Sequence, residues 1–76
     1  MNQVSLGTWV KIAGFEPGEE EVFRIVTEGQ ANILENEIPV NNPLARAIDG
    51  SEVGDKVKFH APAGELELTI LEVGRL

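Results

Sequence analysis

The segment from Ile38 to Asp55, with the sequence IPVNNPLARAIDGSEVGD, predicts a short helix with defined ends. Asn42 can cap the helix through its side-chain oxygen, and Pro43 suits the first helical position, where a backbone N–H lacks a helical partner anyway. Gly50 can adopt the left-handed conformation that commonly ends a helix. A chain with this segment must therefore build its fold around one short, sharply bounded helix.

The predicted helix has one apolar face. Leu44, Ala47 and Ile48 are separated by three and four residues, which places them on the same side of a helix. Arg46 and Asp49 fall elsewhere on its surface. We therefore expect the three apolar side chains in a core and the two charged side chains in solvent.

Two alternating segments near the start of the chain predict a β-hairpin. Thr8 to Ala13 places Val10 and Ile12 on one side, as expected of a strand with one covered face. Residues 16–18 (EPG) suit a type II turn, with proline at the second and glycine at the third position. Glu21 to Thr27 then carries apolar side chains on both faces, so either both faces are covered or one forms an exposed apolar patch. We expect an internal strand of the sheet.

A second hairpin is predicted near the other end of the sequence. Lys56 to Ala61 and Glu65 to Val73 alternate, and Gly64 between them suits a left-handed, bulge-forming position in the turn. The alternation changes phase after Ile70, which predicts either a β-bulge or a twist near that residue. Cross-strand pairing would set the polar residues Lys56, Lys58 and His60 near Glu65, Glu67 and Thr69, where the charges would have a structural role.

Residues 29–37 fit a helical turn or a short strand about equally well, and residues 35–37 (ENE) look like a turn. At 76 residues the chain has room for one domain with one small core. The elements together predict an α+β fold, in which a mostly antiparallel sheet of four to five strands wraps around one short helix. The predicted domain spans residues 1–76.

The composition argues against several classes of protein. Six basic and thirteen acidic residues give a formal charge of −7, which would repel a phosphate backbone, so direct nucleic-acid binding is not expected. No apolar run approaches the roughly 18 to 20 residues needed to span a bilayer. The N-terminus lacks the pattern of a secretion signal, so we expect a cytoplasmic location.

The acidic residues are concentrated in one region. Seven of the eleven glutamates lie between Glu16 and Glu37, with Glu19 to Glu21 as the densest run. Such a run is typical of a solvated edge that promotes solubility. The alternative is an acidic face that meets a basic surface on a protein partner.

Catalytic and metal-binding residues are not expected. His60 is the only histidine, and no glycine-flanked nucleophile accompanies it. The chain has no cysteine, and its carboxylates lack the spacing of a metal site. No glycine-rich phosphate loop is present either. We therefore expect neither a cofactor nor an enzyme.

The residues around the predicted helix resemble the C-terminal domain of the bacterial Gre transcript-cleavage factors. That family has a strand, a Ser-Pro pair, a small and apolar run containing Arg-Ala, a glycine and a Gly-Asp pair. The matching residues here are Ile38, Val40, Asn42, Pro43, the run 44–48 (LARAI), Gly50, Gly54 and Asp55. Further similarity at residues 6–8, 23–26 and 61–65 extends over nearly the whole chain. Asn42 replaces the usual serine, and Asn41 stands where some members have aspartate.

The resemblance implies an FKBP-like α+β fold and a module that docks on RNA polymerase near the rim of the secondary channel. In the family, the loop ahead of the helix touches a coiled-coil element of the polymerase largest subunit. The expected contact residues are therefore Asn41, Asn42 and Pro43. Asn42 and Pro43 also begin the helix, whereas no capping role requires Asn41.

Gre factors place this domain after an N-terminal coiled coil whose acidic tip helps to hold a catalytic metal in the polymerase. The sequence enters its first strand by Thr8, which leaves no room for a coiled-coil helix before it. The resemblance therefore implies that this chain alone does not stimulate transcript cleavage and instead competes with full-length factors.

Other functions remain alternatives. The chain could be a regulator resembling the nucleoside-diphosphate-kinase regulators, which share this domain with a shorter coiled coil, or a generic protein-interaction domain. FKBP-type domains also include prolyl isomerases, whose pocket is lined by several aromatic side chains. The aromatic residues here are Trp9, Phe15, Phe23 and Phe59, about as many as a small core needs. Isomerase activity is therefore not expected.

Overall fold

The computed structural model describes residues 3–76, apart from the side chain of Ile33. Its strands are β1 Thr8–Ala13, β2 Glu20–Val26, β3 Glu37–Pro39, β4 Lys56–Ala61 and β5 Gly64–Arg75. They form one sheet in the order β3-β2-β1-β5-β4. The described part of the chain also contains the helix α1 Pro43–Ile48 and a 3-10 turn at Ile33–Glu35. The predicted α+β fold is confirmed.

Strands β1 and β2 form the predicted antiparallel hairpin, with Trp9 opposite Arg24. The backbone N–H of Glu19 donates to the carbonyl of Glu16 at 3.2 Å, and Gly18 has a φ of 78°. These features match a turn with glycine at its third position. Strand β2 has a neighbouring strand on each side, as expected of an internal strand, but one of its faces is left partly uncovered, because Val22 is 42% exposed.

The ambiguous residues 29–37 contain the 3-10 turn, and β3 begins at the end of this segment. Strand β3 pairs with β2 in parallel, with Ile38 opposite Ile25. Asn36 links the turn to β3 with a φ of 57°, a left-handed conformation that asparagine tolerates better than most residues. Its carbonyl accepts the N–H of Arg24 at 3.0 Å, so the turn is fixed to β2.

Strands β4 and β5 form the second predicted hairpin in the predicted register, with Lys58 opposite Glu67 and His60 opposite Glu65. His60 Nε2 lies 3.6 Å from a carboxylate oxygen of Glu65. Within residues 3–76, Lys58 and Glu67 do not approach to ion-pair distance, although they face each other. The register was predicted correctly, but among the facing polar pairs of this hairpin, all within residues 3–76, only His60 and Glu65 come within ion-pair distance.

The phase change after Ile70 is a β-bulge, one of the two predicted alternatives. Lys11 pairs with Glu72, whereas the next residue of β1, Ile12, pairs with Ile70, so Leu71 is the extra residue of β5. In a regular strand, residues 70 and 73 would point to opposite faces of the sheet. The bulge turns Ile70 and Val73 to the same face, so both side chains are buried in the core.

The core lies between one face of the sheet and helix α1. Its buried residues are Val4, Val10, Ile12, Ile25, Ile38, Leu44, Ala45, Ile48, Leu68, Ile70 and Val73. Leu44 and Ile48 are buried as predicted, but the prediction for Ala47 was wrong, because Ala45 is buried and Ala47 is only half-buried. The helix is oriented so that its third residue, Ala45, rather than its fifth, Ala47, faces the sheet.

The end of helix α1 is fixed by the N-terminal part of the described chain. Gly50 has a φ of 81°, the left-handed conformation predicted for it, and its N–H donates to the carbonyl of Val4 at 2.7 Å. Val4 in turn donates to the carbonyl of Ser51 at 2.9 Å. Both ends of the helix are therefore held in place by hydrogen bonds. Among residues 3–76 there is no helix with the length and apolar character required to cross a membrane.

Candidate functional site

The loop 40–43 connects β3 to helix α1, and backbone hydrogen bonds fix it to the sheet. The N–H of Val40 donates to the carbonyl of Val26 on β2 at 2.9 Å. The N–H of Asn42 donates to the carbonyl of Pro39 at 2.9 Å, which closes a turn. Two successive bonds hold a segment of only four residues, so its backbone has little freedom to move.

Asn42 caps helix α1, as the sequence predicted. Its backbone is extended, with φ −65° and ψ 142°, and its side-chain oxygen accepts the N–H of Leu44 at 2.8 Å. Its carbonyl accepts the N–H of Arg46 at 2.9 Å, the first hydrogen bond of the helix. Pro43 occupies the first helical position. The side-chain oxygen of Asn42 is therefore committed to the fold.

Asn41 differs from Asn42 in both exposure and bonding. Its side chain is exposed, and it makes no hydrogen bond to any other residue in the described range 3–76. Val40 and Pro43 on either side are also exposed. The loop therefore exposes the side-chain amide of Asn41, which has no hydrogen-bond partner within residues 3–76, near the apolar side chains of Val40 and Pro43. The backbone that carries it is already fixed. The three residues implied by the resemblance are adjacent, but only Asn41 has no structural role.

Charges are distributed unevenly over the sheet. The acidic run Glu19 to Glu21 is exposed at the start of β2, and Glu20 lies 3.8 Å from the Nζ of Lys11. Arg24 NH1 lies 3.7 Å from a carboxylate oxygen of Glu37. Two of the basic side chains near the acidic edge are thus already neutralised by neighbouring carboxylates.

Lys11 forms a shorter ion pair than Arg24 does. Its Nζ lies 2.9 Å from a carboxylate oxygen of Glu72 on β5. This hydrogen bond raises the pKa of Lys11 above its ordinary value, and the negative charges of Glu72 and Glu20 raise it further. The lysine therefore remains charged throughout the physiological range.

A groove beside the loop was missed by the sequence analysis. It has a volume of about 330 Å³ and lies between helix α1 and strand β4. Its lining residues are Pro43, Arg46 and Ala47 from the helix and Lys58, Phe59 and His60 from the strand. The alternating basic residues of β4 were visible in the sequence, but the position of Arg46 beside them depends on how the helix docks.

Within residues 3–76, no three metal-ligating side chains converge. The aromatic side chains are also divided between the two faces of the sheet. Trp9 lies on the outer face, whereas Phe15, Phe23 and Phe59 pack against the core. Phe15 and Phe23 contact each other, with ring centroids 5.6 Å apart.

Known proteins resemble this chain along almost its entire length. Residues 1–75 match the family model described as transcription elongation factor, GreA/GreB, C-term. The transcription elongation factor GreA of Thermosipho melanesiensis is 38% identical over 72 residues, covering 95% of this chain and 46% of that protein. The GreA protein of Yersinia pestis is 41% identical over 71 residues, covering 93% and 45%. The chain thus spans about half the length of these relatives.

Solved structures of related proteins share the fold of this chain. The GreA factor homolog 1 (Gfh1) of Thermus thermophilus superposes with a TM-score of 0.80 at 25% identity, covering 96% of this chain and 49% of that one. Gfh1 of Thermus aquaticus superposes with a TM-score of 0.83 at 28% identity, covering 92% and 46%. The sequence match and the shared fold agree that the chain belongs to the GreA/GreB C-terminal domain family of transcription elongation factors.

Proposed function

We propose that this chain is the RNA-polymerase-binding module of a Gre-type transcription elongation factor. The loop 40–43 is the proposed contact, with Asn41, Asn42 and Pro43 facing a coiled-coil element of the polymerase largest subunit near the rim of the secondary channel. Family membership and the similarity to GreA and Gfh1 support a role beside the polymerase. This role implies a cytoplasmic location.

The observation that carries this proposal is the exposed, unbonded amide of Asn41 on a fixed backbone. A loop that is already ordered loses little conformational entropy when a partner binds, so more of the contact energy appears as affinity. Val40 and Pro43 can bury apolar surface on either side, while the Asn41 amide can both donate and accept a hydrogen bond.

Binding of the purified chain to core RNA polymerase, measured by calorimetric titration, tests the contact. We expect the combined substitution of Asn41→Ala and Pro43→Ala to weaken polymerase binding by more than it lowers the free energy of unfolding. Asn41→Ala alone should weaken binding with little change in stability, because that side chain bonds to nothing in the described fold.

Gln30→Ala is the matched control, because Gln30 is also an exposed amide but lies in the loop between β2 and the 3-10 turn. It should leave polymerase affinity unchanged. An affinity that is the same for the parent chain and for the Asn41 and Pro43 variants would exclude the loop as the contact.

The proposal also predicts that this chain by itself does not stimulate transcript cleavage. Residues 1–76 bind the polymerase but do not stimulate transcript cleavage, and they compete with full-length Gre factors for the same docking site. An assay on stalled elongation complexes tests both statements. Strong cleavage after addition of this chain alone would contradict the proposed role.

A further inference from the structure

Strand β4 lies at one end of the sheet and pairs only with β5. The N–H of Ile70 donates to the carbonyl of Asp55 at 2.9 Å, so these two residues form a hydrogen-bonded pair between the strands. Because hydrogen-bonded positions alternate along an antiparallel pair, Val57 and Phe59 bond to β5. The backbone N–H and C=O groups of Lys58 and its alternate neighbours therefore point away from the sheet.

This open edge borders the groove beside helix α1. Pro43, Ala47 and Phe59 give the groove an apolar surface. Arg46 and Lys58 supply two exposed positive charges at its margins. An extended chain laid along the edge would meet unpaired backbone groups on one side and the helix on the other.

The charges in the groove differ from those elsewhere in the sheet. Lys11 and Arg24 are paired with carboxylates. Arg46 and Lys58 have no carboxylate within ion-pair distance among residues 3–76. In a chain with a formal charge of −7, two unneutralised cations flanking one groove favour an acidic ligand.

We propose that an extended, acidic segment of a protein partner binds in this groove and adds to β4 as a further strand. Its backbone would bond to the free groups of Lys58 and His60, as in other cases of strand addition to an open sheet edge. One apolar side chain of the segment would contact Phe59, and flanking carboxylates would pair with Arg46 and Lys58.

Other occupants fit this surface less well. The positive charges beside the groove come from two side chains, in a chain with a formal charge of −7. A nucleic acid carries a charge at every nucleotide and would extend beyond them onto acidic surface, whereas a short segment with two carboxylates would not. A second copy of the chain could pair its own β4 with this strand, which would bring Lys56 and Lys58 of both copies close together, or it could offer the other edge of the described sheet, β3. That strand has three residues and ends at Pro39, which has no N–H to donate.

This site goes beyond the proposed contact with RNA polymerase. It shares Pro43 with the loop 40–43 but does not include Asn41. The two can therefore be separated: Asn41→Ala should weaken polymerase binding and leave the groove unaffected, whereas changes at Lys58 should have the opposite pattern.

The probe is a blocked synthetic peptide of about eight residues in which Glu alternates with Val and Leu. Titration into the isotopically labelled chain should shift the backbone amide signals of Lys58, His60 and helix α1. A peptide of the same pattern with Lys in place of Glu should cause no such shifts, because it would bring positive charges to Arg46 and Lys58.

Variants at position 58 separate backbone pairing from charge. Lys58→Gln should weaken peptide binding about twofold to fivefold, as expected for the loss of one exposed ion pair. Lys58→Pro should weaken it by at least about tenfold, because it also removes an outward N–H and blocks the incoming strand. The proline keeps the bonds to β5, and thermal unfolding checks that the variant is folded. Lys56→Gln, on the same strand but outside the groove lining, should leave affinity unchanged.

Four outcomes would overturn the proposal. Equal affinity for the Lys58→Pro and Lys58→Gln variants would mean that no strand is added at β4. Equal binding of the Glu and Lys peptides, or stronger binding of a single-stranded oligonucleotide, would exclude an acidic protein segment as the occupant. Concentration-dependent dimerisation that is lost in Lys58→Pro would assign the edge to a second copy of the chain.

Discussion

The indole of Trp9 packs against the α-carbon of Gly74, its partner across the ladder between β1 and β5. A β-carbon at position 74 would overlap the ring. Gly74 does not have a positive φ, so the requirement for glycine here comes from space and not from backbone conformation.

Gly74→Ala should lower the free energy of unfolding by about 1 to 3 kcal/mol, because the added methyl group displaces the indole from its position on the sheet. Urea denaturation followed by tryptophan fluorescence measures the loss. When Trp9 is replaced by valine, unfolding can be followed by circular dichroism. Gly74→Ala should then lower the free energy of unfolding by much less. An equal loss in both backgrounds would show that the ring is not the cause.

Gly14→Ala should be more damaging than Gly18→Ala. Both glycines have positive φ angles, of 121° and 78°, which disfavour a side chain. A β-carbon at Gly14 would also overlap the backbone carbonyl of Glu67, whereas the space around Gly18 is open. We expect Gly18→Ala to lower the free energy of unfolding by about 1 kcal/mol and Gly14→Ala to lower it by clearly more. Similar denaturation midpoints for the two variants would contradict this.

Asn42→Ala should lower the free energy of unfolding by about 1 kcal/mol, because the N–H of Leu44 loses its cap. Asn42→Ser should retain most of the stability, since a serine hydroxyl can accept the same bond. Thermal and chemical unfolding of the two variants provide the measurement. If alanine and serine are equally stable at this position, the cap contributes nothing to the fold.

The ion pair between Lys11 and Glu72 should stabilise the protein at neutral pH and lose its effect in strongly alkaline solution. The pKa of Lys11 is raised in the folded state, so the folded chain holds this proton more tightly than the unfolded chain. The stabilisation is complete below the ordinary lysine pKa and is lost as the pH rises through the raised, folded-state pKa.

The difference in unfolding free energy between the parent chain and Glu72→Gln, measured across this pH range, should therefore shrink as Lys11 deprotonates. Glu28→Gln is the matched control, because Glu28 is exposed and forms no ion pair among residues 3–76. A constant difference at all pH values would mean that the pair does not contribute through charge.

Polymerase binding should respond to salt if the acidic run Glu19 to Glu21 takes part in recognition. Screening weakens attraction between exposed charges, so affinity should fall as ionic strength rises. Titrations at several salt concentrations test this, with neutralising glutamine substitutions in the run as the comparison. Affinity that does not depend on salt would identify the run as solvated surface.

Local rules predicted those parts of the fold in which a residue acts through its own geometry. Asn42 caps and Gly50 ends the helix, and the phase change after Ile70 is a bulge at Leu71. The hairpin between β4 and β5 was predicted in its correct register, because alternation and a short turn together leave one pairing.

The remaining features depend on contacts between distant residues. Ala45 and Ala47 have the same side chain, so only the docking angle of a six-residue helix decides which is buried. Strand β3 has three residues and exists because β2 lies beside it. The groove was missed for the same reason, since Arg46 and Lys58 line a common groove only when the helix packs beside β4. Asn41 could be named as a candidate contact from resemblance, but its lack of a structural partner required the fold.

The position of β5 determines when this domain can fold during synthesis. Thr8 pairs with Arg75, and β5 separates β1 from β4 in the sheet. Within this domain, β1 therefore gains its second neighbour only after β5 has been synthesised, and the sheet cannot be completed before then. Such pairing between distant residues slows folding relative to a fold built from local contacts. Until then only β3, β2 and β1 can pair, and the core lacks Leu68, Ile70 and Val73 of β5, so the nascent domain gains most of its stability in one late step.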